Sequence, residues 1–265
     1  MELTTPYAAI RWLEAAIGVS LLIQTFEFLR IPQATAVTGV WSWPVQRADL
    51  AHAQRWLRSV FDVLFDARVH HAHLLLRVVA AASLLLGGSA LSIGFLFVGT
   101  VVILIRWRGA FNGGSDFMTI VVLSGLLIAH LAAGVIEPNL AWRAGLWYVC
   151  IHAVTSYFIS GAIKLCSPNW RSGHALTTFL DGGLYGPLPV GSLLRRPRVA
   201  QLCAWAFILW ECCFPLALVG PDWAIMWCAV AAMFHLLVFR FFGLNRFFWA
   251  WVASFPAIIH CAGQW

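Results

Sequence analysis

The sequence predicts an all-α fold, a polytopic integral membrane bundle of about eight transmembrane helices. Three observations predict it. The chain is 61% hydrophobic and 11% charged, with a mean hydropathy of +0.81, whereas a soluble domain carries about 25% charged residues. Apolar runs long enough to cross a bilayer recur along it. The arginines gather between those runs. Eight spans of about 20 residues with short connections occupy a chain of this length, so residues 1–265 read as one domain.

The elements follow in order. Residues 7–29 make a first span that is polar for its kind, with Arg11, Glu14 and Glu27 inside it. Residues 30–69 form a longer connector whose Pro32, Pro44, Trp and Phe residues suit segments at the membrane interface. Val78 to Ile105 is free of charge and too long for one ordinary span. Gly87-Gly88-Ser89 divides it into a hairpin of two. A fourth span covers 116–136 and a fifth 143–166. A Gly-, Pro- and Arg-rich connector, 167–198, precedes three last spans near 199–219, 222–240 and 244–262, parted by Gly220-Pro221 and Gly243.

With eight spans the connectors alternate sides. Fourteen arginines, Arg77 and Arg108 among them, then fall on one side, against Arg11 and Arg143 on the other. The positive-inside rule places both termini outside and Arg195–Arg198 in the cytoplasm. The net charge of +6 is thus spent on topology and on lipid headgroups, and nucleic acid is not the expected partner. The seven scattered cysteines form no Cys-x-x-Cys pair and read as small buried hydrophobes.

Lys164 is the only lysine among these cations. It lies in the apolar run Tyr157-Phe-Ile-Ser-Gly-Ala-Ile-Lys164-Leu165. An arginine would keep its proton at any pH. A lysine taken out of water can lose its proton and act as a base or nucleophile. On a helix, Ala153, Tyr157, Ser160 and Gly161 fall within about 60° of Lys164. That small and polar stripe suits a face that meets other helices or lines a cavity. The plainer reading is a lysine that snorkels from a span end, since Pro168 follows.

The segment Tyr157 to Leu165, followed by Trp170 and Gly173, resembles the corresponding segment of vitamin K-dependent γ-glutamyl carboxylase and its bacterial HTTM-domain relatives. Asn112-Gly-Gly-Ser-Asp116 before an apolar span is similar to the family's Asn-rich segment. Phe234-His235-Leu236-Leu237, with Phe247-Phe248 and Ser254-Phe255-Pro256 after it, is similar to its Phe-His-Leu and Phe-Pro segments. The likeness runs over about residues 100–260, in the family's order. Gly114, Ser115 and Asp116 stand where the carboxylase has a histidine.

The resemblance implies an enzyme, or the descendant of one, that uses a reduced quinone similar to vitamin K hydroquinone, with oxygen and carbon dioxide as co-substrates. Lys164 then falls on the base that takes a proton from the hydroquinone. The oxygenated ring in turn removes an unreactive proton from a peptide or protein substrate. Tyr157, Ser160, Trp170, Asn112, Asp116 and His235 become the expected surroundings of the quinone and substrate. The implied location is the bacterial inner membrane, with membrane lipid as the constant partner. Three alternatives stay open: a peptide-toxin maturation or immunity protein without the chemistry, a haem or quinone electron carrier, and a structural or transport bundle.

Other polar residues are weighed on their own chemistry. Asp116 opens a span, as a capping acid would. Glu211 lies well inside a span, where a carboxylate is a functional candidate, with an arginine as its expected partner. Glu14 and Glu27 are expected to pair with Arg11 or Arg30. His70-His71-Ala72-His73 reads as the interfacial end of a span rather than a metal cluster. His130, His152, His235 and His260 read as hydrogen-bonded core residues that, in pairs, would also suit haem.

Overall fold

The structure, a computed structural model, describes residues 5–36, 38–50, 52–107 and 113–264. All of its regular elements are helical. Helix α1 (Pro6–Leu29) starts from Thr5, whose hydroxyl accepts from Ala8 N, with Pro6 in its first turn, where the missing N–H costs nothing. The first connector holds three short helices, α2 (Pro32–Thr35), α3 (Trp43–Gln46) and α4 (Arg55–Leu64). Helix α5 (Ala67–Leu86) is capped by Asp66, and α6 (Ala90–Arg106) by a Ser89–Ser92 capping box. The turn between them, 87–89, is the predicted hairpin. Gly87 has φ of +144° there, a backbone shape that favours glycine.

Then come α7 (Gly113–Ala132) and the long α8 (Pro138–Cys166), which Glu137 caps by accepting from Asn139 N and Leu140 N. Two short helices, α9 (Pro168–Arg171) and α10 (His174–Asp181), fold inside the Gly-, Pro- and Arg-rich connector. Helices α11 (Pro197–Cys212), α12 (Pro221–Phe242), α13 (Asn245–Val252) and α14 (Phe255–Cys261) complete the chain.

Among the described residues five helices, α1, α5, α7, α8 and α12, are long and apolar enough to cross a membrane; α6 is apolar but has 17 residues. The sixth and eighth predicted spans are interrupted. Helix α11 ends at Cys212 and gives way to a 3₁₀ stretch, Phe214–Val219, at Pro215, which lacks an N–H and crowds the preceding turn. The stretch 244–262 is two helices that part at Ala253-Ser254, with Pro256 in the first turn of the second. The second span also begins earlier than expected. The His70–His73 run therefore lies within α5, and His70 is buried.

The core packs α1, α5, α6, α7 and α8 against the 3₁₀ stretch and α12–α14. Helices α7 and α8 meet through Gly125 and Gly145. A Cβ on either would run into the other's carbonyl oxygen, which is how small residues let helices approach closely. Outer faces carry exposed apolar side chains, among them Leu86, Leu91, Val79, Ile163 and Leu202. Such coverage is unusual for a protein surrounded by water. Of the cysteines, Cys150, Cys228 and Cys261 are buried, while Cys166 and Cys213 are exposed; the reading of all seven as buried is corrected to these three.

Candidate functional site

Lys164 sits in the last turn of α8, and the stripe it shares faces inward. Ala153, Tyr157 and Gly161 are buried, while Phe158, Ile159, Ile163 and Leu165 are exposed. Gly161 decides what meets it. A Cβ there would stand 2.5 Å from the backbone N of Cys212 and 2.8 Å from Glu211 Cβ. Its absence lets α11 lie against α8 and brings Glu211 up to the lysine.

The amine donates to Glu211 Oε2 at 2.6 Å, to Oε1 at 2.7 Å and to Ser160 Oγ at 2.7 Å. Ser160 Oγ in turn donates to Glu211 Oε1 at 3.3 Å. The lysine side chain is 16% exposed and that of Glu211 3%. Glu211 thus takes the one lysine as its partner rather than an arginine. No arginine lies on the facing turn of α8, whereas Lys164 does.

The third side of the amine faces a cavity. Its Nζ lies 5.3 Å from the centroid of the Trp170 ring, which α9 holds beside Phe179 of α10. Lys164 and Trp170 stand at one end of a groove of about 530 Å³ lined by Phe179, Phe207, Phe234, Phe241, Phe242 and aliphatic side chains of α10, α11 and α12. Its lining is almost wholly apolar, and among the described residues Lys164 is the only charged one in it. The volume is in the range that holds a small organic ligand.

The other expected site residues go elsewhere. Tyr157 OH and His235 Nε2 are 2.6 Å apart, behind the groove. The tyrosine ring stacks on Phe214 at 3.9 Å and the imidazole on Trp251 at 5.1 Å. This pair ties α8 to α12 and α13. Asp116 is buried at the start of α7, away from the groove lining. Its Oδ1 accepts from Gln24 Nε2 at 3.3 Å, and Gln24 Oε1 accepts from Arg77 Nη2 at 2.7 Å. Arg77, read from the sequence as a connector arginine, is fully buried in α5, where Thr25 and Thr100 also accept from it. Asp116 is therefore corrected from the Lys164 pocket to the counter-charge of this network. Asn112 lies outside the described residues.

Glu14 accepts from Arg11 and meets His130 Nε2 at 2.6 Å. Glu27 accepts from Asn245 at 2.7 Å and pairs with Arg246 at 3.6 Å, not with Arg30. His152 bonds the carbonyl of Tyr148. Among the described residues no group of three metal-ligating side chains converges.

No protein-family model matches the chain, and no curated protein or solved structure matches it either.

Proposed function

We propose that the chain is a multi-pass membrane protein of the HTTM type that binds a reduced quinone in the groove beside Lys164 and removes a proton from it. The observation that carries this reading is one charged group, the Lys164 amine with its carboxylate partner, at the end of a groove otherwise built of aromatic and aliphatic side chains. A hydroquinone has that division of chemistry: an apolar body and weakly acidic phenolic hydroxyls, one of which would meet the amine. The five long apolar helices, with α6 and the broken α11 and α13–α14 regions, support an arrangement of up to eight spans; the bacterial inner membrane is the location that goes with this reading.

A reduced quinone, when bound, would supply electrons to oxygen for the modification of a peptide. The residues of this chain bind and take the proton. Phe207, Phe234 and Phe241 offer apolar faces to a ring. Trp170 shields the amine from water. Lys164 and Glu211 act as a unit. With the pair ionised, the carboxylate accepts the proton; with the proton shared so that both are neutral, the amine does. Either way the groove gains a positive charge next to the deprotonated oxygen, which favours that form. Ser160 holds both partners in place. Tyr157 and His235 set the distance between α8 and α12 and so the width of the groove. Asp116 plays no part in this step.

Titration of the purified protein with a reduced short-chain naphthoquinone, followed by quenching of tryptophan emission, tests the reading. Saturable quenching that Phe207→Ala or Phe234→Ala weakens supports it. Loss of binding on Lys164→Met together with retained binding on Lys164→Arg would show that a positive charge there holds the ligand, and the guanidinium, which cannot take the proton, leaves Glu211 as the only acceptor of the pair. Absence of saturable binding in the unaltered protein rejects it.

A further inference from the structure

A second polar constellation lies away from Lys164, under the first connector, where α5 and α6 meet α3. Arg106, the last residue of α6, is 1% exposed, yet no carboxylate among the described residues pairs with it. Its Nη1 reaches Gln46 Oε1 at 3.5 Å and its Nη2 the carbonyl of Thr35 at 3.3 Å. Its Nε has no partner. Other buried polar groups of the first connector and of the α5 and α6 ends beside it are unsatisfied as well. His70, within electrostatic reach of Arg106, has neither ring nitrogen bonded. Trp107 Nε1, Ser42 Oγ and Arg58 Nε also lack partners. These five residues, with six such atoms between them, all lie in the first connector or at the ends of α5 and α6 next to it. Donors dominate the deficit: the guanidinium and indole nitrogens only donate, and the Ser42 hydroxyl and one His70 ring nitrogen can donate as well. Buried donors left unmade are costly, and native proteins seldom keep several together.

The surroundings say where the missing acceptor comes from. Phe65 and Trp43 close over the guanidinium, with ring centroids 5.2 and 6.0 Å from Cζ. Asp62 is engaged by Arg47 and by Trp43 Nε1. Helix α4, beside them, exposes Trp56, Val60 and Val63 at helical spacing, the face expected of a helix lying in a bilayer surface. Phosphate groups populate that depth, and basic pockets between spans take lipid headgroups.

We propose that Arg106, His70 and Trp107 form a phosphate-binding site, which a phospholipid headgroup enters from the membrane surface by displacing the Trp43–Phe65 lid. The shared chemistry is a non-bridging phosphate oxygen, which accepts from the Arg106 Nε, an imidazole N–H and the indole N–H. A free phosphate offers the same oxygens. The proposal rests on the membrane reading and is independent of Lys164 chemistry.

Native mass spectrometry of the full chain in neutral detergent, titrated with phosphatidylglycerol, tests it, alongside melting curves in inorganic phosphate. One phosphatidylglycerol should bind well above the background of further lipids. Arg106→Gln should weaken it about tenfold. Trp107→Phe keeps the ring and removes one donor, so it should weaken binding several-fold even if Arg106→Gln folds poorly. Arg195→Gln, on an exposed arginine paired with Asp181, should leave it unchanged. If inorganic phosphate raises the melting temperature through Arg106 and Trp107 while lipid does nothing, the phosphate site stands with a free anion as its source. If neither probe depends on Arg106 or Trp107, or if Arg195→Gln weakens lipid binding as much, the proposal is overturned.

Discussion

Removing one member of the Lys164–Glu211 pair should harm the protein more than removing both. The two groups are joined by bonds of 2.6 and 2.7 Å, and their side chains are 16% and 3% exposed. The attraction is therefore little screened, and neither charge can turn fully to water. Glu211→Leu strands an amine at the end of an apolar groove; Lys164→Met strands a carboxylate that keeps only Ser160. Breaking a buried pair in this way costs about 3 kcal/mol or somewhat more. The double variant leaves no unpaired charge and fills the space with apolar atoms, so its stability should lie within about 1 kcal/mol of the starting protein. The coupling energy, the double loss less the two single losses, should thus be about 5 kcal/mol in magnitude, read from thermal unfolding of all four proteins in one detergent. Additive losses, with the double variant as unstable as the sum of the singles, would refute the argument that the pair is buried and mutually dependent.

Other expectations are as direct. Gly161→Ala should cost about 1–3 kcal/mol, because its Cβ would lie 2.5 Å from the Cys212 backbone N; an unchanged melting temperature would show that α8 and α11 do not touch there. Tyr157→Phe leaves the His235 imidazole without its 2.6 Å partner and should lower stability by about 1–3 kcal/mol, with a smaller loss for a variant that replaces both by apolar residues. Outside the spans, hydrogen bonds from Arg47 and then Trp43 lower the Asp62 carboxyl from 3.8 to about 2. Its folded value lies below its unfolded one, so its contribution is present above about pH 4 and is lost as the pH falls toward 2. Proteolysis within the first connector should quicken over that window, and Asp62→Asn should remove the dependence.

Much of the fold is legible in the sequence because it rests on local signals. Gly87-Gly88-Ser89 marks its hairpin, and Gly243 ends α12 with a φ of +67°. The interruptions at Pro215 and Pro256 were equally visible as prolines, but hydropathy averages over them and reads continuous spans. Arg77 misled for a different reason. Its four acceptors come from α1 and α6, 19 to 53 residues away, and no local pattern shows that a charge will be satisfied inside the bundle. The site divides in the same way. Ser160 and Trp170 are near Lys164 in sequence and meet it in space. Glu211, 47 residues on, was recognisable as an intramembrane carboxylate, but its partner depends on how α11 crosses Gly161. Asp116 joins Arg77 through Gln24 of α1, a meeting of three helices that sequence spacing does not record.

The most direct test of the central proposal is the ionisation of a bound hydroquinone. A reduced naphthoquinone held in the groove should show the absorbance of its anion at a pH about 1 to 3 units below that for a free phenol, which ionises near 10. Lys164→Arg and Glu211→Gln proteins that still bind the ligand isolate the two members of the pair, and loss of the shift in either names the member on which proton transfer depends. A ligand that binds the unaltered protein with its ionisation unchanged would contradict the assignment of Lys164 and Glu211 as its proton acceptor.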